Sequence, residues 1–136
     1  MKSAELNQTV LLVEDSDDDA FFFERAFTDS AVAARLIRVH DGGSALDYLR
    51  GASEKSRDLS RTHVVFLDLK IPVFSGLDVL RWIKERDLSV KVLVLSGSDL
   101  DSDVEMARAL GAADYIVKPI SPADLKKCLT PEAVLR

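Results

Sequence analysis

Short apolar runs alternate along the chain with stretches whose apolar residues recur at helical spacing. Uninterrupted runs of Val, Ile, Leu and Phe are typical of strands buried on both faces of a parallel sheet. The run at residues 35–39 is broken by two arginines, which favours an edge position. Five strands are therefore predicted, at residues 10–13, 35–39, 63–67, 90–95 and 114–117.

Five helices are predicted after these strands, several of them with recognisable ends. Ser16 with Asp19 forms a potential capping box, Ser121-Pro122 with Asp124 starts the last helix, and Gly111 closes the fourth. Pro131 should end or bend the last helix. The polar residues 51–62 predict a long surface loop.

The first helix carries four phenylalanines, and they cannot all face one core. Phe22, Phe23, Ala26 and Phe27 lie on one side at 100° per residue, whereas Phe21 falls off that side. We therefore expect Phe22 and Phe23 to be core residues and Phe21 to be exposed.

Strict alternation of strand and helix predicts an α/β fold with right-handed crossovers and helices on both faces of one parallel sheet. The weak second strand suits the flavodoxin-like order 2-1-3-4-5, a (βα)5 three-layer sandwich. Residues 1–136 are expected to form one domain, with a core at about 8–130. Strands 1 and 3 are then neighbours at the centre.

Polar residues stand at the carboxyl ends of four strands, where open α/β sheets bind their ligands. Glu14-Asp15, Asp68, Ser96 and Lys118 follow strands 1, 3, 4 and 5. Three carboxylates would repel one another, and Mg²⁺ relieves such repulsion. Acids, a hydroxyl and a lysine around one crevice are the groups that phosphoryl transfer requires.

The composition limits the other possibilities. A net charge of −5 without a cluster of Lys and Arg argues against nucleic-acid binding. No signal peptide and no apolar run of about 18 residues is present, which predicts a cytoplasmic chain without a membrane span. Cys128 is the only cysteine, so no disulfide can form within the chain.

These residues together resemble the receiver domain of two-component response regulators over about residues 8–130. Glu14-Asp15, Asp68, Ser96 and Lys118-Pro119 stand where that family has its acidic pair, phosphoacceptor, hydroxyl residue and lysine-proline pair. The extended 51–62 stretch and the lack of an output domain are similar to the small regulators associated with bacterial phytochromes.

The resemblance implies a role for each site residue. Asp68 would accept a phosphoryl group from a sensor histidine kinase, with a bacterial phytochrome as the candidate kinase. Asp15 would bind Mg²⁺ directly, Glu14 through water, and Lys70 through its backbone carbonyl. Lys118 would pair with the phosphoryl group. The side chain of Lys70 is a departure from the family pattern: it would place a second cation beside this site, with dephosphorylation as the step affected.

The resemblance also implies an output and its surface. Ser96 would move toward the phosphoryl group and Tyr115 would swing inward behind it, and the Lys118-Pro119 bond would be cis. The surface formed by the fourth helix, fifth strand and fifth helix would change, with a homodimer as one result. Phe21 is predicted to help dock the kinase because of its outward position on the helix and not from the resemblance; a surface aromatic without a partner is the alternative. Met106, Arg108 and Lys126 are expected on the output surface.

Two other functions stay open on sequence grounds. A receiver-like module could bind partners without being phosphorylated, although the complete set of acids, hydroxyl and lysine argues against this. An aspartate-nucleophile phosphatase would need a second acid two residues after the nucleophile, where Lys70 stands, and a larger cap than residues 51–62 provide.

Overall fold

The computed structural model describes residues 8–55, 59, 63–71, 74–97 and 101–129, without the side chain of Asp101. Pro131, expected to end or bend the last helix, lies outside these residues. None of the helices described is long and apolar enough to cross a membrane. The strands are β1 Thr9–Val13, β2 Arg35–Val39, β3 His63–Asp68, β4 Lys91–Ser96 and β5 Asp114–Val117; the helices are α1 Asp17–Ser30, α2 Gly42–Lys55, α3 Gly76–Glu85, α4 Asp101–Ala109 and α5 Pro122–Leu129.

The strands form one parallel sheet in the order β2-β1-β3-β4-β5, as predicted. Thr9 at the start of β1 lies opposite both Arg35 and His63, and Asp68 at the end of β3 lies opposite Leu95. The strands therefore begin together at one edge and end together at the other. The charged β2 is an edge strand, as its arginines indicated.

Successive side chains of a strand point to opposite faces, so each central strand contributes to two cores. Helices α1 and α5 cover one face, where Phe23 packs edge-on against the buried Phe66 with ring centroids 5.0 Å apart. Helices α2, α3 and α4 cover the other face, through Leu49, Leu80 and Ala107 among others. The two buried faces hold the strand ends in fixed register.

The predicted loop at 51–62 is wrong in its first part, because α2 continues to Lys55. A glycine inside a helix costs only about 1 kcal/mol relative to alanine. Ala52 offsets part of this cost by packing against the core. Ser53 Oγ also donates to the carbonyl of Arg50 at 2.9 Å. Leu59 is buried, and its N–H donates to the carbonyl of Ser89 at 2.8 Å.

The prediction for the phenylalanines of α1 is confirmed for Phe21 and Phe23 and wrong for Phe22. Phe21 is 55% exposed and Phe23 is buried, but Phe22 is 57% exposed. Helix α1 is turned so that Ala20, Phe23, Ala26 and Ser30 face the sheet. This rotation places Phe22 at the rim of the buried face and not within it.

Candidate functional site

Asp68 is the last residue of β3 and is only 6% exposed. Its Oδ1 accepts a hydrogen bond from the backbone N–H of Lys70 at 3.0 Å, and its Oδ2 accepts one from Lys118 Nζ at 2.8 Å. Behind it, a Cβ atom added to Gly76 would lie 2.5 Å from the carbonyl oxygen of Asp68, so α3 begins in van der Waals contact with this strand end. The carboxylate is therefore held rigidly at the sheet edge.

Lys118 follows β5, and its ammonium binds the acidic side chains of the site. Its backbone N–H donates to the carbonyl of Ser96 at 2.8 Å, which ties it to the end of β4. Its ammonium is 2.8 Å from an oxygen of each of Glu14, Asp19 and Asp68. The Lys118-Pro119 peptide bond is cis. The three protons of the ammonium thus have three carboxylate acceptors.

Glu14 follows β1 and is 2% exposed. Its backbone N–H donates to the carbonyl of Val39 at 3.0 Å. Arg38 of β2 donates from Nε to the carbonyl of Glu14 at 3.0 Å and pairs with Asp17 at 3.0 Å. The sequence alone predicts no role for Arg38. Only its position in an edge strand next to strand 1 indicates that it could stabilise the segment that carries Glu14.

Burial and crowding change the protonation of the site. Burial raises the pKa of Glu14 to about 7, the hydrogen bond from Lys118 opposes this, and the neighbouring Asp68 carboxylate reinforces it. Burial lowers the pKa of Lys118, but its hydrogen bonds to Asp19, Asp68 and Glu14 outweigh burial, and the net result is a raised pKa. Lys118 is therefore a permanent cation, while Glu14 is poised to exchange a proton near neutral pH.

The donor set suits a hard divalent cation. One oxygen each of Glu14, Asp19 and Asp68 lies within 4.8 Å of the others. Carboxylate oxygens are the ligands that Mg²⁺ prefers, and one ammonium leaves three carboxylates incompletely neutralised. Asp15 is exposed and is not part of this group, so its predicted role as direct ligand stays a prediction.

The sequence predicts Asp19 only as the second half of a capping box, and nothing in its pattern indicates a contact with Lys118. Ser16 Oγ does accept from the N–H of Asp19 at 3.2 Å. The return bond is absent among the contacts described, because the Asp19 carboxylate binds Lys118 and Glu14 Oε2 accepts from the N–H of Ser16 at 3.2 Å. Helical side chains point toward the helix N-terminus, which directs Asp19 back to the strand ends.

The remaining predicted residues are placed as follows. Ser96 is 1% exposed at the end of β4, one residue beyond the partner of Asp68. Tyr115 is half-buried and packs against the core under α4. The side chain of Lys70 is exposed. The three residues expected on the α4-β5-α5 surface are all exposed: Met106, Arg108 and Lys126.

An open cleft of about 250 Å³ leads to the acidic group from the side of α1. Its lining combines the polar Glu14, Asp19 and Lys118 with the apolar Phe22 and Pro119. The cleft therefore joins an aromatic part of the α1 surface to the acidic group.

Comparison with known proteins agrees with this geometry. The family model of the response regulator receiver domain matches residues 10–130. The probable methanogenesis regulatory protein FilR2 of Methanothrix harundinacea is 39% identical over 120 residues, which cover 87% of this chain and 76% of FilR2. Response regulator Rcp1 of Synechocystis sp. is 32% identical over 122 residues, covering 88% of this chain and 82% of Rcp1.

Solved structures give the same result. The crystal structure of the Mn²⁺-bound form of Rcp1 matches with a TM-score of 0.69 and 31% identity, covering 89% of this chain and 88% of that one. The crystal structure of the phosphorylated cyanobacterial phytochrome response regulator RcpA matches with a TM-score of 0.71 and 31% identity, covering 90% and 88%.

Not all relatives have this length. The chain spans between 34% and 50% of four longer curated transcriptional regulators that it also matches. Three observations indicate the same family: the order of the strands, the acids at the strand ends and the family match over residues 10–130. This chain belongs to the receiver-domain family of two-component response regulators, with phytochrome-associated regulators among its structural neighbours.

Proposed function

We propose that this receiver domain accepts a phosphoryl group on Asp68 from a sensor histidine kinase in the cytoplasm and signals by a change of surface. The observation that carries the proposal is Lys118, whose ammonium lies 2.8 Å from Asp68 Oδ2 at a buried strand end. The proposed role is that of a phosphoacceptor switch, without steady turnover of a substrate.

The chemistry follows from the residues at the strand ends. An oxygen of Asp68 attacks the phosphorus of a phosphohistidine, the O–P bond forms, the N–P bond breaks and the histidine ring leaves with its electron pair. Lys118 neutralises phosphoryl oxygens in the transition state, and Ser96 donates its hydroxyl proton to one of them. The backbone N–H of Lys70 fixes the other oxygen of Asp68.

We further propose that the acids at the strand ends hold Mg²⁺, which would neutralise charge on the transferring phosphoryl group. Glu14 and Asp68 would hold the ion, with Asp15 and the Lys70 carbonyl as the ligands that the family resemblance implies. The Mn²⁺-bound form of Rcp1 supports this assignment by analogy. The raised pKa of Glu14 supports it as well, because a cation would restore the charged carboxylate.

The test is intact-mass measurement after incubation with a small phosphodonor and Mg²⁺. Wild type should gain one phosphoryl group and Asp68→Asn none, whereas the control Asp29→Asn, an exposed aspartate on α1, should label like wild type. Steady release of phosphate without an adduct would favour a phosphatase. No adduct on wild type would favour a module that works without phosphorylation.

Kinase docking is proposed for the exposed aromatic surface of α1. Phe21 is 55% exposed, and its neighbour Phe22 lines the cleft that leads to Lys118. The phytochrome-associated relative RcpA makes a bacterial phytochrome the candidate kinase. Phe21→Ala should slow transfer from the kinase and leave labelling by a small phosphodonor unchanged; equal effects on both rates would remove Phe21 from docking.

The output is proposed to run through Ser96 and Tyr115. A phosphoryl group adds about −1.5 to −2 charges, which attracts the Ser96 hydroxyl. Tyr115 would then turn inward and change the α4-β5-α5 surface, with a homodimer as the expected assembly. Sedimentation with and without a beryllofluoride mimic should show a shift for wild type that Tyr115→Ala lacks. The same shift in the variant would exclude Tyr115 from the output.

A further inference from the structure

The contacts of Asp19 have a consequence for the ammonium of Lys118. This ammonium has three protons, and the oxygens of Glu14, Asp19 and Asp68 lie at equal distances of 2.8 Å from it. Before the O–P bond forms, Asp68 is still a carboxylate, and an oxygen of the incoming phosphoryl group is then a fourth anionic acceptor. Lys118 must therefore release one carboxylate before it can pair fully with a phosphoryl group.

We propose that Asp19 is a positioning residue that holds the ammonium of Lys118 in the resting state and is the partner that Lys118 releases. This inference rests on the proposed phosphorylation of Asp68. In this role Asp19 limits the rate of phosphorylation, because its bound carboxylate competes with the incoming phosphoryl group for the ammonium of Lys118.

The burial of the three acids decides which one is released. The side chain of Glu14 is 2% exposed and that of Asp68 is 9% exposed, whereas that of Asp19 is 41% exposed. A carboxylate that leaves its cation inside the protein stays poorly solvated, but one at the surface is hydrated again. Release of Asp19 is therefore the least costly of the three.

Asp19 can release Lys118 without disturbing the rest of α1. Asp19 lies in the first turn of the helix, and its backbone N–H is held by Ser16 Oγ independently of the carboxylate. The side chain can change rotamer without unwinding the helix. Its carboxylate also adds negative charge to the lining of the cleft beside the site, which disfavours an anionic phosphodonor there.

The experiment measures labelling by acetyl phosphate across a Mg²⁺ titration in wild type, Asp19→Asn, Asp19→Glu and Asp18→Asn. Asp18 is the matched control, since it is an exposed aspartate in the same helical turn. At saturating Mg²⁺, Asp19→Asn should label about threefold to fivefold faster than wild type, the effect of one partly exposed charge pair. Asp18→Asn and the charge-preserving Asp19→Glu should stay within twofold of wild type.

Two results would overturn the inference. Equal rates for Asp19→Asn and Asp18→Asn would show that only the net charge matters. A rise of fivefold or more in the Mg²⁺ concentration at half-saturation, with slower labelling, would show that Asp19 binds the cation and does not regulate Lys118. If wild type is not labelled at all, the proposed function itself fails, and this outcome is distinct from both.

Discussion

The two ends of the sheet gather polar side chains in opposite ways. At the carboxyl end, one ammonium is shared by three carboxylates, and Glu14 is buried with a raised pKa. At the amino end, His63 of β3 and Tyr48 of α2 share a hydrogen bond of 3.1 Å with their rings edge-on. Burial, followed by the nearby Arg35, lowers the pKa of His63 and favours its neutral form.

This difference separates a site from a structural contact. A neutral pair stabilises a half-buried position without leaving a charge unbalanced, and it needs no ligand. The carboxyl end keeps carboxylates close together although they repel one another, so a cation bound there would relieve the repulsion. The amino end thus holds a balanced structural contact, whereas the carboxyl end holds the excess of negative charge that is typical of a cation site.

The largest predicted effect comes from comparing two lysines, one at each end of the sheet. Lys118→Met should slow labelling of Asp68 by about 100-fold or more, the usual loss when a charge-stabilising group is removed from a transition state. Lys91→Met is the matched control, because Lys91 Nζ at the start of β4 donates to the carbonyl of Cys128 at 2.8 Å. That variant should lose some stability and label normally. Comparable labelling defects in both would contradict the distinction between the ends.

The second prediction concerns the stability of the carboxyl end as a function of pH. The pKa of Glu14 is about 7 in the folded protein and about 4.5 in the unfolded chain, so the folded state binds more protons between these values. Stability should fall as pH rises from 5 to 8. The expected loss between pH 5 and pH 8 is about 2–3 kcal/mol, because each unit of pKa difference corresponds to about 1.4 kcal/mol.

Urea unfolding of wild type and Glu14→Gln at pH 5 and pH 8 measures this loss. Glu14→Gln should remove it, whereas Glu24→Gln, an exposed glutamate on α1, should behave like wild type. Saturating Mg²⁺ should stabilise wild type most at pH 8, where the acids are ionised. A loss of stability that survives in Glu14→Gln would assign the proton to another group.

The order of the strands and the position of the site residues follow from the local pattern of apolar and polar residues. The arginines of residues 35–39 placed β2 at an edge, and the strand-end position of Asp68 and Lys118 placed them together, because parallel strands in register end at one edge. These features depend on strand order and register alone, both of which apolar patterning determines.

The features that the sequence did not predict depend on tertiary packing, and two of them depend on how α1 is rotated about its axis. The carboxylate of Asp19 could bond back to Ser16 or bind Lys118, and the structure has it on Lys118. The packing of Phe23 against Phe66 helps to fix the rotation of α1. The same rotation exposes Phe22. The extension of α2 beyond Gly51 depends likewise on the contact of Ala52 with the core. Such tertiary contacts override local signals.

The smallest predicted effect belongs to the amino end and has the opposite sign. The pKa of His63 is lowered in the folded state, so below its ordinary value of about 6.5 the unfolded chain binds the proton more readily and stability should fall as pH falls. The Glu14→Gln background isolates this effect, since Glu14 titrates in an overlapping range. In that background His63→Gln should flatten the acidic limb of the stability curve, and in the wild-type background His63→Gln should leave labelling of Asp68 unchanged. An NMR titration of the His63 ring in wild type should give a pKa below 6.5; a value above it would show that the amino end, too, holds a charged pair.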